Sequence, residues 1–82
     1  MEHHDLAERV MSVYTRVMGA APVNGLDTLP EDAQGWDSLA QVRLFTAIER
    51  DFARELPKHL MLIGPSLSAF LTELETPELE TP

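Results

Sequence analysis

Cysteine is absent from this chain of 82 residues, which excludes a disulfide framework, a thiolate nucleophile and a cysteine-ligated metal site. Aromatic residues are scarce, at 6%, so a core must be built from Leu, Val, Ile, Ala and Met. No run approaches the roughly 18 apolar residues that a membrane span needs. The opening Met1-Glu2-His3-His4-Asp5 has neither the basic start nor the apolar centre of a signal peptide. The expectation is a soluble, cytoplasmic protein of one small domain, too short to enclose a deep active site between two layers. Basic residues are also few: six Lys and Arg against 14 Asp and Glu, a formal net charge of −8. That balance argues against nucleic acid as a partner, because phosphates would repel the chain. Four of the acids, Glu73, Glu75, Glu78 and Glu80, fall in the last ten positions, where there is no Lys or Arg. Without them ten acids face six bases, a balance of only −4. Such a surface serves solubility or steers the chain toward basic patches on partners, and charge alone does not separate the two.

What is present reads as helices. From Asp5 to Met18 the residues Leu6, Val10, Val13, Tyr14, Val17 and Met18 recur at three- and four-residue spacing, the period of an amphipathic helix. Asp5 and Arg9 stand four apart on it, a surface pair worth about 0.3 kcal/mol. Gly19 fits the left-handed position just past its end. Residues 20–36 hold Pro22, Asn24, Gly25, Asp27, Pro30 and Gly35, enough breakers for a long ordered loop. Val23, Leu26, Leu29 and Trp36 are the side chains expected to pin it to the core. A second helix is predicted from Ser38 to about Phe52 or Ala53, with Leu44, Phe45, Ile48 and Phe52 facing inward and Asp37 capping its start through Leu39 or Ala40 N–H. Pro57 prevents any continuation. Lys58 to Ile63 predicts a short helix of one or two turns, broken by Gly64-Pro65. Ser66 or Ser68 then starts a last helix that buries Leu67, Phe70, Leu71 and Leu74. Glu-Leu-Glu-Thr-Pro occurs at 73–77 and again at 78–82, too short and too acidic to build a core. The expected division is a folded domain over 1–75 and an acidic disordered tail over 76–82.

Gly35-Trp36-Asp37-Ser38-Leu39-Ala40-Gln41-Val42-Arg43-Leu44 carries the chemistry. A serine in the first turn of a helix directs its hydroxyl outward, beside backbone N–H groups that have no carbonyl partner in the helix. Those donors and the helix dipole both favour a phosphate there. Asp-Ser at a helix start is also the commonest capping chemistry, so an unmodified helical protein-interaction module, with Ser38 merely capping, stands as the alternative. A phosphorylated Ser38 is a third reading. A hydrolase reading needs Gly before the Asp, where Trp36 stands, and it needs a His-Asp pair and an α/β sheet that this sequence does not offer. His3 and His4 are adjacent and His59 is remote; adjacent histidines project to different sides of a helix, and no metal site is expected.

With its Asp37-Ser38-Leu39 motif, the long preceding loop and the acidic balance, the chain resembles the acyl and peptidyl carrier proteins, the phosphopantetheine-binding domains. The likeness covers residues 5–75 and is strongest over 35–52. It implies an all-α, carrier-protein four-helix bundle of three longer helices and one short one, with a long first loop. It implies a stand-alone acyl or aminoacyl carrier and not an enzyme. Ser38 would be the attachment point of 4'-phosphopantetheine taken from coenzyme A, and Asp37 would help the phosphopantetheinyl transferase and its divalent metal engage that serine. The arm's thiol would hold cargo as a thioester for a loading enzyme and for downstream transferases or synthases, the chain itself remaining a monomer. Leu39, Val42, Arg43 and Thr46 form the expected docking face. Family members commonly carry acids along this helix; Ala40, Arg43 and Arg50 stand here instead. That departure favours a dedicated biosynthetic pathway, such as secondary metabolism, over general fatty-acid synthesis.

Overall fold

In a computed structural model the described backbone covers residues 2–75 and the described side chains residues 6–75. The expected tail at 76–82, the His3-His4 pair and the Asp5 end of the Asp5–Arg9 pair therefore lie outside the described residues. The described chain is all-helical, with no strand. Three α-helices, α1 (Glu2–Met18), α2 (Ser38–Phe52) and α3 (Ser68–Glu75), alternate with 3-10 turns at Gly25–Asp27, Pro30–Asp32 and Lys58–Met61. The short helix expected at 58–63 is the last of these turns. Pro57 at its head and Gly64-Pro65 beyond it leave too few residues to offset the cost of nucleating an α-helix. No helix among the described residues is long and apolar enough to cross a membrane.

Each helix ends for a local reason. Gly19 takes φ +84° and donates its N–H to Thr15 O at 2.8 Å, closing α1. Past α2, Ala53 adopts φ 52°, with Ala53 N–H donating to Arg50 O and Arg54 N–H to Glu49 O. Those two bonds make a Schellman ending on a residue other than glycine. Glu49 reinforces the turn that follows, its carboxylate accepting from Leu56 N–H at 2.8 Å.

α1 and α2 run antiparallel. Tyr14 meets Trp36 just before α2 begins, while Arg9 reaches Asp51 near its end. Val10, Val13 and Tyr14 from α1 pack with Leu44, Phe45 and Ile48 from α2, Leu60 from the third 3-10 turn, and Leu67, Phe70 and Leu74 around α3. Each such fully buried side chain contributes about 1.5–3 kcal/mol, so the helix stripes supply most of the stability of so small a domain. Phe52, expected in the core, is half-buried instead. The Arg9 guanidinium lies 4.2 Å from its ring centre and donates to Asp51 O at 2.8 Å, satisfying a last-turn carbonyl of α2. Long side chains shield apolar surface this way while the charge stays wet.

Of the residues expected to pin the first loop, Leu26 and Trp36 do so and Val23 does not. Val23 is 67% exposed, whereas Leu26 packs against the core. The deepest anchor is Thr28, which is fully buried. Its hydroxyl donates to Gly25 O at 2.7 Å and accepts from Asn24 N–H at 2.8 Å, while its carbonyl accepts from Leu67 N–H at 3.1 Å. Every polar atom of this buried residue that could be left unpaired is thereby engaged, which is what burial of a hydroxyl requires. Ahead of α3, Ser66 and Ser68 share a hydroxyl–hydroxyl bond of 2.6 Å.

Candidate functional site

Ser38 is the first residue of α2, and its side chain is exposed. The capping position belongs to Asp37, one residue earlier. Its extended backbone (φ −110°, ψ −170°) turns the carboxylate over the helix start, where it accepts from Ala40 N–H at 2.9 Å. Asp37 O accepts the first helical bond, from Gln41 N–H at 2.9 Å. Ser38 is thus relieved of capping and is held by a neighbour that does cap. Gly35, at φ +89°, makes the reversal that delivers the chain to this point, a conformation glycine adopts without the penalty of a Cβ. Trp36 N–H donates to Ala33 O across that reversal at 3.3 Å.

Trp36 fixes the approach from below. Its ring is buried and meets Tyr14 edge to face, with centroids 5.3 Å apart and planes at 68°, a preferred aromatic geometry. Burial of the phenol against these groups pushes the Tyr14 pKa above its ordinary 10.0. The indole Nε1–H donates to Gln41 Oε1 at 2.6 Å, and Gln41 Nε2–H donates in turn to Leu60 O at 2.7 Å. One amide therefore joins the loop before Ser38, the first turns of α2 and the Lys58–Met61 turn.

The expected docking residues lie on the outer side of α2. Leu39 is 64% exposed and Val42 39%; Arg43 and Thr46 are exposed as well. Ala40 behaves otherwise. It is buried in the core cluster, so it cannot stand on an outward face where a partner would meet it. Of the three departures from an acidic helix, only Arg43 and Arg50 are presented to solvent.

Two features escape a reading of the sequence. Gln41 is one, although it has a visible signal: it occupies the inward register shared with Leu44, Phe45 and Ile48, where a polar residue demands a partner. The exposure of Leu62 and Ile63 is the other, at 69% and 38%, since an apolar run does not show which of its side chains face solvent. A cleft of about 720 Å³ lies elsewhere, between α1 and the first loop, lined by Met11, Ser12, Thr15, Arg16, Ala21 and Pro22 with Glu8. Ser38 sits apart from it, on open surface at the head of α2. In comparisons with models of protein families, with curated proteins and with solved structures, the chain matches none.

Proposed function

We propose that this chain is a stand-alone acyl or aminoacyl carrier protein that holds its cargo on a phosphopantetheine arm attached to Ser38. The fold would be a carrier-type bundle in which the Lys58–Met61 turn takes the place of the short helix. The observation that carries this reading is the division of labour at the head of α2. Asp37 does the capping through Ala40 N–H at 2.9 Å, and the Ser38 hydroxyl is left exposed beside it. A serine needed only as a cap would itself occupy the capping position, which disfavours the plain interaction-module reading.

The residues present fit such a group. An exposed hydroxyl leaves room for a bulky arm, and a first-turn position suits the phosphodiester charge through the helix dipole and neighbouring N–H groups. In the attachment step a separate transferase joins Ser38 Oγ to the pantetheine-side phosphorus of coenzyme A. The pyrophosphate P–O bond breaks, the nucleotide bisphosphate leaves, and the hydroxyl proton passes to a base on the transferase. Bound phosphopantetheine would supply a terminal thiol for thioester formation, a group this cysteine-free chain lacks. The chain's own residues hold and present: Asp37 fixes the turn, Trp36 anchors the approach, and Leu39, Val42, Arg43 and Thr46 offer a face to partner enzymes. Catalysis belongs to those partners. Exposed Arg43 and Arg50 on α2 suit a dedicated partner set in a biosynthetic pathway better than enzymes that read an acidic helix.

The test is intact mass after incubation with coenzyme A, Mg²⁺ and a broad-specificity phosphopantetheinyl transferase, alongside Ser38→Ala. The parent should gain one phosphopantetheine, and Ser38→Ala should gain none while keeping its stability within about 0.5 kcal/mol, as expected of an exposed substitution. A folded parent that gains nothing, while a known carrier is modified in the same assay, overturns the proposal in favour of an unmodified interaction module.

A further inference from the structure

Ser38 is exposed, so nothing packed on its own side chain can fix it in place. Its position is set by the residues on either side in the chain. Ahead of it, the reversal at Gly35 leads directly into Trp36, and Trp36 is the buried residue nearest to Ser38 on that side. Behind it, Gln41 is one turn into α2 and only 2% exposed. These two side chains bond to each other at 2.6 Å across Asp37 and Ser38. The serine therefore sits inside a short bridge whose two feet are both buried.

The same amide has a second task. Gln41 Nε2–H donates to Leu60 O at 2.7 Å, a carbonyl 19 residues away in the Lys58–Met61 turn. Leu60 is itself buried, and Leu62 and Ile63, two and three residues on, are exposed apolar side chains. A single side chain that accepts from an indole and donates to a backbone carbonyl has few substitutes. Glutamine presents both an acceptor and donors, whereas methionine has similar length, cannot donate to the Leu60 carbonyl and is only a weak acceptor for the indole. A buried amide with both ends engaged rigidifies its surroundings, because releasing either end leaves a polar group unpaired.

We propose that Gln41 is the positioning residue of the Ser38 site. Its amide holds Trp36, and so the acceptor turn, against α2. It also holds the Lys58–Met61 turn beside that helix through Leu60 O, so that the head of α2 is braced on both sides. The inference rests on the carrier reading of Ser38. It extends that reading from the modified residue to the one that places it.

The experiment compares Gln41→Met with Leu74→Ala, a core substitution at the far end of α3. Both are studied in the full chain, at a temperature where circular dichroism shows each folded. The two readouts are kcat/KM for phosphopantetheine transfer from coenzyme A and hydrogen exchange of the 58–61 amides. Gln41→Met should lose about 10- to 100-fold in kcat/KM, the order of loss that follows from misplacing a reacting group, and its 58–61 amides should exchange faster. Leu74→Ala should match the parent in kcat/KM, and its faster exchange should spread over the whole core as a loss of global stability instead of concentrating at 58–61. Equal transfer rates for the two folded variants overturn the positioning role while leaving the carrier reading intact. Absence of transfer to the parent itself overturns both. If Gln41→Met does not fold, Trp36→Phe serves in its place. It keeps an aromatic ring in place while removing the Nε1–H together with the five-membered half of the indole, and should lower transfer over the same range; a parental rate for that variant likewise overturns the proposal.

Discussion

Asp37 caps α2 and, under the carrier proposal, would also help a transferase engage Ser38, and a pair of substitutions separates the two roles. Asp37→Ala removes the acceptor that Ala40 N–H meets at 2.9 Å and leaves that donor to water. Loss of such a cap costs about 1 kcal/mol. In a domain of this size each kcal/mol moves the midpoint of thermal unfolding by roughly 4–8 °C, a shift that far-UV circular dichroism resolves without difficulty. Asp37→Asn keeps an oxygen at the same reach, and Asn caps as well as Asp does. It gives up only the attraction between the carboxylate charge and the helix dipole, which solvent and salt screen at an exposed terminus. Thermal stability should therefore fall in the order parent, Asn, Ala, with the larger step at Ala. Transfer of phosphopantetheine should order the variants differently. A contact between a carboxylate and a metal or charged group on the enzyme is worth about 1.5–3 kcal/mol. Both variants should accordingly lose about 10- to 100-fold in kcat/KM, including the Asn variant that keeps the cap. An Asp37→Ala midpoint equal to the parent's would refute the capping assignment. Parental transfer kinetics in Asp37→Asn would refute the second task and leave Asp37 as a cap alone.

Two further outcomes follow from particular backbone and side-chain environments. Ala53 holds a left-handed conformation at φ 52° on the surface, which costs an L-residue about 1–2 kcal/mol; glycine escapes that cost but adds about 0.4–1 kcal/mol of unfolded-state freedom. Ala53→Gly should therefore stabilise the fold by about 0.5–1 kcal/mol, seen as a higher urea midpoint at unchanged slope, and a lower midpoint would count against the left-handed ending of α2. Tyr14 has its pKa raised above 10.0 by burial, so the unfolded chain ionises first as pH rises. Its contribution is fully present below pH 10.0 and is lost as pH climbs from there through the raised folded value. Ultraviolet titration of the single tyrosine should give a midpoint above that of the urea-unfolded chain, and coincident midpoints would contradict its burial against Trp36.

The features legible in the sequence are those whose partners lie within a turn or two of each other. Asp37 and Ala40 are three residues apart, and Gly19 and Thr15 four, so capping rules find both bonds directly. The three helix stripes are legible for the same reason, since a period of 3.6 repeats inside each element. Phe52 shows where this reasoning stops. Its spacing from Leu44 and Ile48 points inward, but Arg9, 42 residues from Asp51, arrives from α1 and covers its ring. Thr28 is similar, because its burial depends on Leu67 donating to its carbonyl from the far side of the chain. The one or two helical turns expected at 58–63 are there as a single 3-10 turn, Lys58–Met61, and apolar composition does not show that the room left by the flanking breakers selects the tighter helix.

Ser38 combines both kinds of information. Its chemistry is local: Asp37-Ser38-Leu39 are adjacent, and an exposed hydroxyl at a helix start follows from them. Its placement is not. A polar residue at 41 among Leu44, Phe45 and Ile48 announces that some partner exists, and Trp36 lies near enough in the chain to be guessed. Leu60 does not, because which carbonyl faces the amide is decided only when the Lys58–Met61 turn packs on α2. A substitution at Gln41 therefore tests something no motif can encode. It asks whether the serine and the surface around it are held as one body by a contact made 19 residues away.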